Sequence, residues 1–244
     1  MPADIQISII MPCLNEEKTL LICIQKAQRF LTLHNLKGEI IIGDNGSSDN
    51  SVEIATSSGA KVVHIREKGY GNAIRGAISV AKGKYIIVGD SDDSYDFENL
   101  GPFIEKLDQG FDVVIGNRFK GGIAKNAMPF LHKYLGNPVL TFIGNLFFDA
   151  QIYDFQCGLR GIRKEVIDNL QLSSSGMEFA SEMIAKSCMQ KLKITEVPTP
   201  LFKDGRNRPP HLNTWRDGWR HLKFMIGYRM ETIRYFQKQE SLRL

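Results

Sequence analysis

The chain has little of what would tie it to an oxidising compartment or carry it through a bilayer. Its four cysteines, Cys13, Cys23, Cys157 and Cys188, are well separated and form no C-x-x-C pair. That argues against both a disulfide framework and a zinc site, and for a reducing, cytosolic setting. No segment holds the roughly 18 uninterrupted apolar residues of a membrane span. The nearest, "MPFLHKYLGNPVLTFIGNLFF" (128–148), is broken by His132, Lys133, Gly136, Asn137 and Pro138. The N-terminal apolar stretch has no basic region ahead of it and ends in Asn-Glu-Glu, so no signal peptide is expected. Internal repeats and low-complexity tracts are missing as well.

What is present is a globular composition with unevenly placed charge. At 244 residues and 43% hydrophobic, the chain can bury a full core. The formal charge is +4, yet residues 205–244 hold nine Lys/Arg against three Asp/Glu, which makes the C-terminal end the basic one. Short β-branched runs alternate with helical patterns through the first half. Strands are expected at 6–11, 39–44, 61–65, 84–90 and 112–117, and helices near 16–33, 49–57, 70–81 and 97–109. The second half is less regular, with helical patterns at 128–148, 177–190 and 212–238 and strands near 159–163 and 193–197. Near-continuous apolar strands predict an α/β fold whose Rossmann-like, mostly parallel central sheet is flanked by helices. Ligands bind such sheets beyond the carboxyl ends of the strands. There the polar residues collect: Asn15 and Glu16, Asp44 and Asn45, Asp90 and Asp92, Asn117 and Arg118.

The stretch "GDSDDSYDF" (89–97) sets Asp90, Asp92, Asp93 and Asp96 directly behind the apolar run "YIIV". Carboxylates that close repel and raise one another's pKa, so a cation is expected among them. Asp90-Ser91-Asp92 is a D-x-D at a strand end, which suits Mg²⁺ or Mn²⁺ carrying a nucleotide diphosphate. A charged loop cap is the alternative.

Four segments in this order, "SIIMPCLNEEKTL", "EIIIGDNGSSDNSVEIA", "YIIVGDSDDSYDF" and "DVVIGNRF", resemble the family 2 glycosyltransferases with a GT-A fold. With "DFQCGLRGIRKE" (154–165), "SSGMEFASEMIAK" (174–186) and "FKDGRNR…RDGWRHLKF" (202–224), the resemblance covers nearly the whole chain. It points to the polyprenyl-phosphate sugar transferases, the group of dolichol-phosphate mannose synthase and undecaprenyl-phosphate glucosyltransferase. It implies a GT-A catalytic domain over 1–205, with interfacial helices near 128–148, and a basic amphipathic helical segment over 206–244. Pro12, Asn15 and Glu16 are implied to border the nucleotide sugar and Asp44 to bond the base. Asp90 and Asp92 are implied to hold ribose, diphosphate and metal. Asn15 and Glu16 also read as an N-cap and a first-turn carboxylate. Asn45 departs from a frequent second Asp of the family, and Ser94 stands where some relatives place a metal-binding amide.

On the acceptor side, Arg118 matches the family arginine that meets the lipid phosphate, which a guanidinium fits in a bidentate manner. Lys133 beside His132, and Arg206 with Arg208, are implied as further phosphate contacts. Asp154 is carried over with Asp92 and Arg118 as a catalytic residue. The implied reaction is inverting, metal-dependent transfer of a hexose from a nucleotide-diphosphate sugar, expected to be UDP-glucose, to an undecaprenyl or dolichyl phosphate. The ionised phosphate oxygen attacks the anomeric carbon while cations stabilise the departing diphosphate. GDP-mannose is the alternative donor. A saccharide hydroxyl, with Asp154 as base, is the alternative acceptor.

Two readings come from other classes. "EKGYGNAIRG" (67–76) opens a helix about twenty residues before Asp90, as a dinucleotide fingerprint would, but Ile74 stands at the third glycine. The other is a non-catalytic membrane-binding domain. On a helical projection Trp215, Trp219, Leu222, Ile226, Met230 and Ile233 share one stripe, with Arg216, Arg220, Lys223, Arg234 and Lys238 beside it. With the chain ending at Leu244, peripheral attachment to an anionic membrane at its cytoplasmic face is expected. The alternative is that the apolar stripe packs on the catalytic domain. No nucleic-acid partner is expected, and a homo-oligomer is left open.

Overall fold

The computed structural model describes residues 5–206 and 214–241, the last stretch with side chains at 218–231 and 234. Seven strands form one sheet: β1 Ile7–Cys13, β2 Gly38–Asp44, β3 Lys61–His64, β4 Tyr85–Val88, β5 Val113–Asn117, β6 Arg160–Arg163 and β7 Ile194–Pro198. Their order is β3-β2-β1-β4-β6-β5-β7, and β6 alone runs antiparallel to its neighbours. Each expected strand is present within a few residues of its apolar run. Both β1 and β4 are buried along their whole length, because helices cover both faces of the sheet.

Helices connect and cover the strands: α1 Leu20–Leu33, α2 Ser51–Ser57, α3 Tyr70–Ser79, α4 Gly101–Asp108, the short α5 Arg118–Gly121, α6 Asn137–Phe148, α7 Lys164–Asn169, α8 Phe179–Met189 and α9 Thr214–Ser241. In α1 the buried residues Leu20, Cys23, Ile24, Ala27 and Phe30 recur at the spacing of one helical face. The second-half helices α6, α8 and α9 pack on one another, with Phe148 of α6 and Tyr228 of α9 in ring contact at 6.1 Å. The helical pattern expected over 128–148 is in two pieces, a π-helical turn His132–Gly136 running into α6. Pro138 explains the break. A proline offers no N–H and crowds the carbonyl four residues back, here in Tyr134, and the wider π turn accommodates both.

Strand order reverses between β1 and β4, so a crevice opens beyond Cys13 and Val88. Ser91 Oγ donates to the Pro12 carbonyl at 2.7 Å and ties the loop after β4 to β1 across it. Asn15 lies here with φ 58°. It does not cap α1, which begins at Leu20; its Oδ1 accepts from the Ser48 N–H at 2.7 Å and fastens the loop after β2 instead.

The glycines of "EKGYGNAIRG" have a different purpose from a pyrophosphate cradle. Gly69 has φ 136°, and a Cβ on it would stand 2.1 Å from the Ser175 carbonyl oxygen. A Cβ on Gly71 would stand 2.2 Å from that of Ser174. The N–H of Gly71 donates to Ser175 at 2.9 Å. These glycines let the backbone before α8 press against the start of α3. Gly71→Ala is therefore expected to lower stability by about 1–3 kcal/mol, as overpacking does, in equilibrium urea unfolding. Unchanged stability would show that the segment yields.

Candidate active site

A cavity of about 790 Å³ occupies the crevice, within the size range of small-molecule sites. Pro12, Glu16, Asp90, Asp92, Arg118 and Arg206 all line it. Asn15, Asp44, Lys133 and Asp154 do not, and Arg208 lies outside the described residues.

At the acidic end, the Asp90 and Asp92 carboxylates face the cavity, while the other two of the run have structural partners. Asp93 pairs with Lys26 at 2.7 Å, and Asp96 accepts from the Glu98 N–H and the Asn99 amide. Asp92 Oδ1 accepts from Ser94 N–H and Oγ at 3.1 and 2.6 Å, and its Oδ2 from Arg206 Nη2 at 2.7 Å. Asp90 accepts from the Tyr70 hydroxyl at 2.8 Å. Burial and the neighbouring Asp92 charge push the Asp90 carboxyl up to about 6, although the Tyr70 bond works against them. Arg206 also reaches Glu16 at 3.3 Å and Asp204 at 3.2 Å. A guanidinium of the chain itself thus stands among these carboxylates.

The donor set also fits a divalent ion. It consists of hard carboxylate oxygens already drawing a positive group onto Asp92. Among the described residues no three or more His, Cys, Asp or Glu are arranged to hold an ion. Diphosphate oxygens and water would complete the shell, as is usual for Mg²⁺.

Asp44, at the end of β2, is buried and accepts from Ser47 N–H at 3.0 Å, Gly46 N–H at 3.3 Å and His64 Nδ1 at 3.1 Å. Burial would raise its pKa, but these bonds win and hold it below the usual carboxylate range. Beside it Asn45 lines the cavity, donating to the Glu67 carbonyl at 2.8 Å and accepting from Gly69 N–H at 2.7 Å. An aspartate could not do the first, which accounts for the amide at this position.

At the far end of β5, Arg118 Nε and Nη2 both bond Asp154, each at 2.7 Å, and its backbone N–H donates to the same carboxylate at 3.0 Å. Asp154 is 0% exposed. Both its oxygens serve Arg118. Its own N–H donates to Glu196 Oε1 at 2.9 Å, and Asn117 Nδ2 donates to Glu196 Oε2 at 3.1 Å. Of the 132–133 pair it is His132 that lines the cavity, its pKa lowered by burial and then by the Arg118 charge. Lys133 lies 5.3 Å from the Tyr134 ring centre.

Among the cavity residues that escaped the sequence reading are Tyr70, Gln156, Arg160 and His221. Arg160 is buried, and its three nitrogens donate to the carbonyls of Cys157, Ala180 and Phe155 at 2.8, 2.6 and 2.8 Å. Only Tyr70 left a trace, in the spacing between the glycine motif and Asp90.

Residues 8–171 match the family model described as Glycosyl transferase family 2. The low-salt glycan biosynthesis hexosyltransferase Agl6 of Haloferax volcanii is 38% identical over 221 residues, which is 90% of this chain and 53% of that protein. The dolichyl-phosphate hexose transferase of the same organism is 27% identical over 194 residues, 80% of this chain and 82% of that protein. The dolichol-phosphate mannosyltransferase of Pyrococcus furiosus is 28% identical over 201 residues, 79% of this chain and 55% of that protein. The chain thus spans about half the length of the first and last of these relatives. Among solved structures, glucosyl-3-phosphoglycerate synthase from Mycobacterium tuberculosis, in complex with Mn²⁺, UDP and glucosyl-3-phosphoglycerate, superposes with TM-score 0.70 at 20% identity. The match covers 92% of this chain and 79% of that one. The fold is the GT-A fold expected from the resemblance.

The buried ion pair has a measurable consequence. Asp154→Asn strands the Arg118 charge and is expected to cost about 3–5 kcal/mol of stability. The double variant Arg118→Met/Asp154→Leu should lose less than either single change. Additive losses in urea unfolding would show that the two groups are not coupled.

Proposed function

The chain belongs to glycosyl transferase family 2, and on that premise we propose that it transfers a hexose from a nucleotide-diphosphate sugar, UDP-glucose first among candidates, to a polyprenyl phosphate at a membrane surface. One observation carries this reading. Across a single cavity, the carboxylates of Asp90 and Asp92 face a guanidinium, Arg118, whose other edge is locked to Asp154. The first pair suits a diphosphate and its cation; the second suits an incoming phosphate.

In this reading Pro12 and Glu16 border the nucleotide. Asp44 and Asn15 shape the loop that receives the base, and Asp90 and Asp92 hold ribose, diphosphate and Mg²⁺ or Mn²⁺. The divalent ion, when bound, supplies positive charge for the departing diphosphate. Arg206 meets the diphosphate from within the acidic end, and Lys133 is an outer contact; Arg208, the other phosphate contact expected from the sequence, lies outside the described residues. The phosphate oxygen attacks from the face opposite the leaving nucleotide, so the sugar configuration inverts. Such an acceptor needs no general base. The engagement of both Asp154 oxygens by Arg118 favours it over a saccharide hydroxyl. The names of the Haloferax relatives support hexose and dolichyl phosphate, and the Mn²⁺ and UDP of the mycobacterial structure support a divalent ion and a uridine donor. The Pyrococcus relative, by its name a mannosyltransferase, supports mannose as the competing sugar.

Among the described residues no helix is long and apolar enough to cross a membrane. A broad apolar face is exposed instead. Phe130 (73%), Leu131, Tyr134, Leu135, Phe142 (67%) and Leu146 stand in solvent along the π turn and α6. On α9, His221, Phe224, Met225 and Tyr228 form the packed side, while Trp219, Ile226 and Met230 are exposed opposite them. Lys223 and Arg234 flank that stripe at about 100° per residue. Arg220, expected to join them, is paired with Glu178 at 2.9 Å. The side chains of Trp215, Arg216, Ile233 and Lys238 lie outside the described set. We take this face as the membrane contact, with each basic side chain adding about 1 kcal/mol near an anionic leaflet.

A thermal-shift panel of UDP- and GDP-hexoses with Mn²⁺, followed by transfer to undecaprenyl phosphate, tests the reaction. UDP-glucose is expected to be bound and turned over, and Asp92→Asn to abolish transfer with the circular dichroism unchanged. Preference for GDP-mannose would overturn the donor, and transfer only to saccharide hydroxyls the acceptor. For the surface, co-sedimentation with anionic liposomes is expected, lost in Phe130→Ser/Phe142→Ser/Leu146→Ser and weakened by salt in proportion to Lys223 and Arg234. Undiminished sedimentation of the triple variant would sink the contact.

A further inference from the structure

We propose that Gln156 and His221 form the hexose subsite of the cavity and set which sugar hydroxyl is required, an inference that rests on the transferase reading above. The position of Gln156 supplies the first argument. Two residues before it, Asp154 clamps Arg118; two residues after it, Gly158 lies so close to Asp90 that a Cβ there would meet the carboxylate at 2.5 Å. Gln156 therefore lies on the wall between the diphosphate end and the phosphate-accepting end. A group passed from one to the other has to cross there.

His221 supplies the second. It lies on the packed side of α9 among Phe224, Met225 and Tyr228, only 5% exposed, and lines the cavity. A buried imidazole costs stability unless it is hydrogen-bonded. Its Nδ1 is 2.9 Å from the Ser181 hydroxyl, and the Gln156 amide reaches the same hydroxyl at 3.4 Å. Ser181 is fully buried on α8. Three separate segments thus contribute to one hydrogen-bonded unit on the cavity wall, where apolar side chains would have sufficed for packing.

The chemistry of the unit selects the ligand class. A hexose presents hydroxyls that both donate and accept, together with apolar C–H faces. Gln156 carries an amide donor and acceptor, an imidazole nitrogen can act as either, and Met177 and Phe179 supply apolar wall beside them. A phosphate would call for cations and a prenyl chain for no polar group at all. Residue 221 also falls beyond the stretch 8–171 that matches the family model, so its role follows from this chain's own packing.

Isothermal titration of UDP and of UDP-glucose, each with Mn²⁺, into the wild type, Gln156→Leu and His221→Phe separates sugar from nucleotide. UDP affinity is expected to stay within about twofold, while the ratio of the two dissociation constants falls about tenfold, the worth of one lost neutral hydrogen bond. In transfer assays with the monodeoxy analogues of UDP-glucose, one analogue should be penalised by the wild type and no longer by His221→Phe. His221→Gln, which keeps hydrogen-bonding atoms, should recover part of the loss. Should GDP-mannose prove the donor, GDP and GDP-mannose replace the uridine pair. Parallel weakening of nucleotide and nucleotide sugar, or no change in either, would overturn the subsite. A folded wild type that binds UDP but turns over no nucleotide hexose would overturn the transferase reading itself, and the subsite with it.

Discussion

Negative charge at the end of a buried strand is the constraint from which the rest of the site follows. Asp90 and Asp92 stand directly after β4, which is buried along its whole length, and Asp90 is pushed up to about 6 by burial and its neighbour. A carboxylate in that setting needs donors or a counter-charge, and distant parts of the chain supply them. Tyr70 comes from the start of α3. Arg206 arrives on a segment stitched to the same loop by Phe202 N–H to Ser94 and Gly205 N–H to Asp92, each at 2.9 Å. The charge that looks costly in the sequence thereby organises the segments that surround it.

The opposite end of the cavity solves the inverse problem, a cation that has to be held still. A lone guanidinium on a loop would sample many rotamers. Here Asp154 takes one edge of Arg118, and Glu196 holds both the Asp154 N–H and the Asn117 amide that precedes Arg118. Strand end and loop therefore share one carboxylate beneath them. Breaking such a buried pair costs more than forming it gains, so its presence is better explained by orientation than by stability. The same geometry keeps both Asp154 oxygens on Arg118.

Much of this was legible in the sequence because a strand buried on both faces is an uninterrupted β-branched run. "SIIM" and "YIIV" declare themselves, and the residues that follow them are then at strand ends by necessity. Partners at long range were not legible. Arg160 is satisfied by three backbone carbonyls and His221 by a serine forty residues away, and neither arrangement leaves a local pattern. Which member of a neighbouring pair faces inward was not legible either. The resemblance implied Lys133 beside His132 as a phosphate contact, and the π turn ahead of Pro138 presents His132 to the cavity. The cap expected at Asn15 failed for a related reason, since α1 starts at Leu20 and leaves Asn15 free to adopt a left-handed turn that serves the neighbouring loop.

One further step connects the cavity with the exposed face. Phe130 belongs to both: it lines the cavity and is 73% exposed. Met128, Pro129 and Leu140 line the same side, near His132 and Arg118. An apolar path thus leads from the Arg118 guanidinium to the patch on the π turn and α6. A saccharide acceptor, polar on every side, would gain nothing from such walls. An acceptor with a phosphate head and a prenyl tail would put its charge against Arg118 and its tail along Leu140 and Phe130, and would leave the protein where the chain already presents apolar surface. Because α9 offers His221 to the cavity on one side and Trp219, Ile226 and Met230 to solvent on the other, anything that seats this helix on a membrane also sets the wall against which the sugar would be held.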